Sequence, residues 1–173
     1  HHLARWVEWA TIGGDPWGGR FLGGVDLGRV VLVGHSRGGE GVERAALDST
    51  AADGYRIVGR VPIAPTAFGR QVGTGIPTMV LLPYCDGDVS DLQGQQYVDQ
   101  SRDLIPDRAL RSAVLVMGAN HNFFNTEWTP GLSVAPAIDD WGGEPDDPVC
   151  GSEGAARLTP AADEADSGRR RAS

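Results

Sequence analysis

The run Arg29-Val30-Val31-Leu32-Val33, followed at once by Gly34-His35-Ser36-Arg37-Gly38-Gly39, constrains this chain more than any other stretch. An unbroken β-branched run of this kind reads as a strand buried on both faces, at the centre of a parallel sheet. Beyond it, Val42, Ala45 and Ala46 keep helical spacing between Glu40 and Leu47. The local order is therefore strand, tight turn, helix, and the turn is a G-x-S-x-G pentapeptide. Between those flanks the pentapeptide predicts a nucleophile elbow. Its glycines permit a strained turn, Ser36 Oγ is pushed into the open, and the helix N-terminus favours developing negative charge. Without such flanks the same residues would be an ordinary glycine turn holding a serine.

The remaining chain repeats the alternation. Leu3, Trp6, Val7 and Ala10 recur at helical spacing and face a core, and Gly13-Gly14-Asp15-Pro16 ends that helix. Further strands are expected at about Arg56 to Ile63, Thr78 to Leu82 and Ser112 to Met117. A surface helix is expected from Asp91 to Leu104, with Asp91 as a possible N-cap. Alternating strands and helices imply an α/β fold with a mostly parallel sheet, whose functional groups gather on loops beyond the carboxyl ends of the strands. One domain is expected over residues 1–160, with residues 161–173 as a disordered tail.

A serine hydroxyl needs a base, and the chain has four histidines. His1 and His2 lie at the chain start, and the side chain of His35 should diverge from that of its neighbour Ser36 on an extended backbone. That leaves His121, just past the last strand in Gly118-Ala119-Asn120-His121. A lone loop histidine is more often structural, and it is Ser36 that turns the reading toward a base. The base in turn needs a carboxylate to fix its tautomer. Asp86 ranks first as the first acid beyond the third strand, Asp88 second, and Asp91 is a further candidate. The same acids could be read as a calcium loop, but the EF-hand spacing and its terminal Glu are missing, so no metal is expected. The order Ser, Asp, His along the chain is that of α/β-hydrolases.

The elbow, the Pro77-Thr78-Met79-Val80 strand leading to Asp86, and Gly118-Ala119-Asn120-His121 together resemble the C-terminal half of an α/β-hydrolase. The likeness covers about residues 1–125 and points to the chlorophyllase, dienelactone hydrolase and cutinase-like polyester-hydrolase branch. It implies a serine esterase or lipase acting on small-molecule or lipid-like carboxylic esters, without cofactor, through an acyl-enzyme. It also implies that the backbone N–H of Arg37 forms half of an oxyanion hole. A serine peptidase on the same fold, or a truncated non-catalytic remnant, are the rival readings. The family has several strands before its elbow, and the loop after the third supplies the other oxyanion donor. Here a helix and a loop precede Val30, so either the chain is a fragment of a longer enzyme, with Val30 to Val33 as an open apolar sheet edge, or something else covers that side.

Bulk properties narrow the partners. Net charge is −8, and the one basic run, Arg169 to Arg171, lies at the extreme C-terminus, which argues against nucleic acid. No apolar run approaches a transmembrane length. Cys85 and Cys150 lack zinc-site spacing. They could close one disulfide loop, worth roughly 4 kcal/mol in the chain-entropy picture, provided the protein is secreted or otherwise meets an oxidising compartment. Phe123, Phe124, Trp128 and Trp141 are candidates to line a pocket near His121, though aromatics in a Pro-rich segment more often pack against a neighbouring helix.

Overall fold

The computed structural model describes residues 2–102, 104, 107–122, 124 and 148–150 of the 173-residue chain. The expectations for His1, for the tail at 161–173, and for Phe123, Trp128 and Trp141 lie outside the described residues. In chain order the elements are α1 (His2–Thr11), β1 (Val30–His35), α2 (Arg37–Asp48), β2 (Ile57–Ile63), β3 (Thr78–Pro83), α3 (Gln96–Asp99) and β4 (Arg111–Val116). The four strands form one all-parallel sheet in the order β1-β2-β3-β4, an α/β architecture. No described helix is long and apolar enough to cross a membrane.

Strand order explains what is covered and what is not. Each strand lies beside its predecessor, and right-handed crossovers that step in one direction return along one face of a sheet. That face carries α2 and the cluster of Ala67, Val80, Leu82, Tyr97 and Val98. The opposite face leaves Val31 and Val33 54% and 62% exposed, with Met79 and Val114 also open. The expectation of a central β1 buried on both faces is therefore corrected: among the described residues β1 is an edge strand with one open face. Its apolar run marks both faces as fit for burial, but neighbours in space decide which is buried.

Two other expectations change. From Asp91 to Leu104 the chain forms a 3₁₀ turn, Gln93–Gln95, running into the single turn of α3, and Leu92 rather than Asp91 precedes it, in the left-handed conformation at φ 48°. The cause is close packing. A Cβ on Gly94 would lie 2.5 Å from Pro65 Cγ and 2.9 Å from Leu82 Cδ2, so the segment is pinned against β3. α1 buries only Ala10. Its Trp6 and Trp9 pack with Trp17 and Phe21 of the following loop, ring centroids 4.8–6.2 Å apart, instead of docking on the sheet.

Between α2 and the sheet lies a buried ion pair. Arg60 Nη1 donates to Glu43 Oε2 at 2.6 Å, its Nε to Thr78 Oγ1 at 3.0 Å and its Nη2 to the Gly73 carbonyl at 3.1 Å. Burial pushes the Glu43 carboxyl above its ordinary range, against the pull of Arg60. Removing one partner of such a pair strands a charge and typically costs about 3–5 kcal/mol. The pair therefore locks the helix that follows Ser36 onto β2.

Candidate active site at the carboxyl ends of the strands

Parallel strands send their carboxyl ends to one rim, and the loops after β1, β3 and β4 meet there. The loop after β1 is the G-x-S-x-G turn. Ser36 holds φ 55° and ψ −124°, so the strain sits on the serine itself rather than on the glycines beside it. Strained non-glycine backbone of this kind persists only where surrounding contacts over-determine it. Here the Ser36 N–H donates to the Ile63 carbonyl at 2.8 Å, and the Ser36 carbonyl accepts the N–H groups of Gly39 at 2.8 Å and Thr66 at 3.3 Å. Gly34 has a different task. A Cβ there would lie 2.1 Å from Gly38 O and 2.9 Å from Val42 Cγ1, so its missing side chain lets the helix fold back onto the strand.

Arg37 opens α2, where a backbone N–H has no intrahelical acceptor. Its guanidinium lies 6.0 Å from the centroid of the exposed Phe68 ring. Both line a cavity of about 350 Å³ beside the elbow, together with Glu40, Arg44 and Gln71.

The loops that carry Asp86 and His121 are joined by the sheet ladder running past its own ends. Tyr84 N–H donates to the Val116 carbonyl at 3.0 Å, and Cys85 N–H donates to the Ala119 carbonyl at 2.8 Å. Gly118, at φ 77°, supplies the left-handed turn that brings His121 back toward Asp86. Cys85 is disulfide-bonded to Cys150, which ties residue 150 to the position just before Asp86.

Asp86 and His121 are both buried, and His121 Nδ1 lies 2.9 and 3.0 Å from the two Asp86 carboxylate oxygens. Asp86 Oδ1 also accepts the backbone N–H groups of Asp88 at 3.0 Å and Val89 at 2.7 Å. That turn carries Asp88 to the other side of the ring, where its Oδ2 stands 3.2 Å from His121 Nε2. The two acids ranked from the sequence thus both reach His121, on opposite nitrogens. Asp91 goes elsewhere, accepting the side-chain amide of Gln93 at 3.2 Å.

Ser36 joins this group through the residue before it. His35 Nε2 lies 2.7 Å from the His121 carbonyl, and the two imidazole rings are 4.7 Å apart, tilted by 48°. With the carbonyl as acceptor, His35 Nε2 carries the hydrogen. On an extended backbone the His35 side chain is expected to leave Ser36. It does leave Ser36, and it arrives at the loop that carries His121. The signal was its position as the last residue of β1, on the rim where loops converge.

No protein-family model, curated protein or solved structure matches the chain.

Proposed function

We propose that the chain is a serine hydrolase of the α/β-hydrolase type that cleaves carboxylic esters through an acyl-enzyme, with Ser36 as nucleophile, His121 as base and Asp86 as its orienting acid. The observation that carries this reading is the Asp86–His121 Nδ1 pair standing on the same rim as a strained strand-to-helix serine. An imidazole held by a carboxylate at Nδ1 keeps its proton there and leaves Nε2 to accept another.

In the proposed cycle Nε2 takes the Ser36 hydroxyl proton as Oγ attacks the ester carbonyl. The tetrahedral oxyanion meets the Arg37 N–H, and the Asp86 carboxylate stabilises the imidazolium. Collapse breaks the bond to the alcohol oxygen, which leaves with the proton from Nε2. Water, deprotonated by Nε2, then attacks the acyl-Ser36 carbonyl, and collapse frees the acid and returns the proton to Ser36. No cofactor enters these steps. The substrate class is a small-molecule or lipid-like ester.

The test is covalent labelling by a fluorophosphonate, with the modified peptide mapped by mass spectrometry. Label is expected on Ser36, absent in Ser36→Ala, and slowed by about 1,000- to 10,000-fold in Asp86→Asn, where the imidazole takes the wrong tautomer. Folded protein that stays unlabelled would refute the assignment.

A further inference from the structure

A serine base must offer Nε2 as an acceptor, yet a carboxylate oxygen of Asp88 stands 3.2 Å from Nε2, where it attracts a positively charged ring. With Asp86 against Nδ1 and Asp88 against Nε2, a carboxylate flanks the ring on each side, an arrangement that favours the imidazolium form. We propose that Asp88 is a positioning residue that latches His121 in this protonated form at rest, and that loss of the Nε2 proton releases the latch and frees Nε2 for Ser36. The proposal rests on the serine-hydrolase reading above and adds to it the state from which the enzyme must start.

The local geometry supports a movable latch. Asp86 and His121 are buried, whereas the Asp88 side chain is 51% exposed and so is free to turn into water. Its backbone is nevertheless held by Asp86 Oδ1, so the carboxylate stays within reach of the ring. Once Nε2 loses its proton to solvent, a lone pair faces the carboxylate, the attraction becomes repulsion, and Asp88 swings outward. No group other than the proton is exchanged.

Among the described residues, titratable groups face His121 from two elements. Asp86 and Asp88 lie on the turn after β3, and both favour the imidazolium. His35, at the end of β1, presents its ring at 4.7 Å and donates to the His121 carbonyl, and when protonated it opposes the imidazolium. Removing Asp88 alone leaves the other two in place.

The experiment is an NMR titration of the His121 imidazole in the full chain, for the wild type and Asp88→Asn, in low and high salt. At low salt the wild-type midpoint is expected above that of Asp88→Asn by about 0.5 to 1 unit, the size a half-exposed ion pair supports. Added salt should lower the wild-type midpoint and leave the variant nearly unmoved. The rising limb of ester hydrolysis against pH should shift by the same amount. Asp88→Ala serves as the second variant and should match Asp88→Asn. Equal His121 midpoints in all three proteins would overturn the latch. The titration reads His121 without any turnover, so an inactive chain with the expected shift would refute the hydrolase reading and leave the Asp88–His121 contact standing.

Discussion

Replacing Gly34 with alanine should separate the two glycines of the elbow signature. The new Cβ would sit 2.1 Å from Gly38 O, 2.5 Å from Gly38 C and 2.9 Å from Val42 Cγ1. Comfortable carbon contacts lie at roughly 3.5–4.0 Å, and two of these three neighbours are backbone atoms of the turn itself. Relief therefore requires α2 to move away from β1, carrying Ser36 with it. Overpacking a filled interior typically costs about 1–3 kcal/mol, and a backbone clash belongs at the upper end, about 3 kcal/mol. With a urea slope of about 2 kcal/mol/M, the unfolding midpoint should fall by about 1.5 M. A Cβ on Gly38 meets nothing within 4 Å, and Gly38 lies in the first turn of α2. Gly38→Ala should thus hold or raise the midpoint, since alanine is favoured over glycine in a helix by up to about 1 kcal/mol. Urea melts followed by circular dichroism test both. A Gly34→Ala midpoint equal to the wild type, or a Gly38→Ala protein that is the less stable of the two, would show that this account of the elbow is wrong.

Removing the His35 ring should loosen the loop of His121, the proposed base, while leaving Ser36, the proposed nucleophile, in place. His35→Ala is expected to lower kcat/KM for esters by about 10- to 100-fold with the melting midpoint nearly intact, and His35→Gln, whose amide can still donate, should recover part of it; unchanged kinetics in His35→Ala would remove His35 from the site. Asp107 makes a pH-dependent contribution to stability. The Ala109 N–H, the Arg111 guanidinium and the Gly75 N–H hold its carboxyl at about 2, below its ordinary value of 3.8. A depressed carboxyl contributes fully above its unfolded value and loses that contribution as pH falls toward 2. Melting temperatures of Asp107→Asn and wild type should accordingly diverge above about pH 4 and converge near pH 2; curves that stay parallel throughout would exclude the contribution.

Much of the site could be read from the linear chain because its parts are local signals. Strand, G-x-S-x-G and helix are contiguous, and periodicity of apolar residues marks them without knowledge of any neighbour. Asp86 and His121 were legible as the first acid and the one loop histidine beyond later strands, because parallel strands deliver such residues to a common rim. Facts that depend on proximity were not legible. A valine run looks the same in a central strand and in the edge strand β1, because burial is a property of what lies alongside. Glu43 and Arg60 carry charges that read as surface groups, and only a partner 17 residues away, reached at 2.6 Å across the α2–sheet interface, makes their burial tolerable. Spacing likewise ranked Asp86 against Asp88 as alternatives, since either could reach a histidine. The tertiary structure uses both, because Asp86 accepts the backbone N–H of Asp88 and so turns the second carboxylate onto the opposite ring nitrogen of His121. Hydrogen bonds of that kind are set by angles and separations of about 3 Å, and a one-dimensional pattern contains neither.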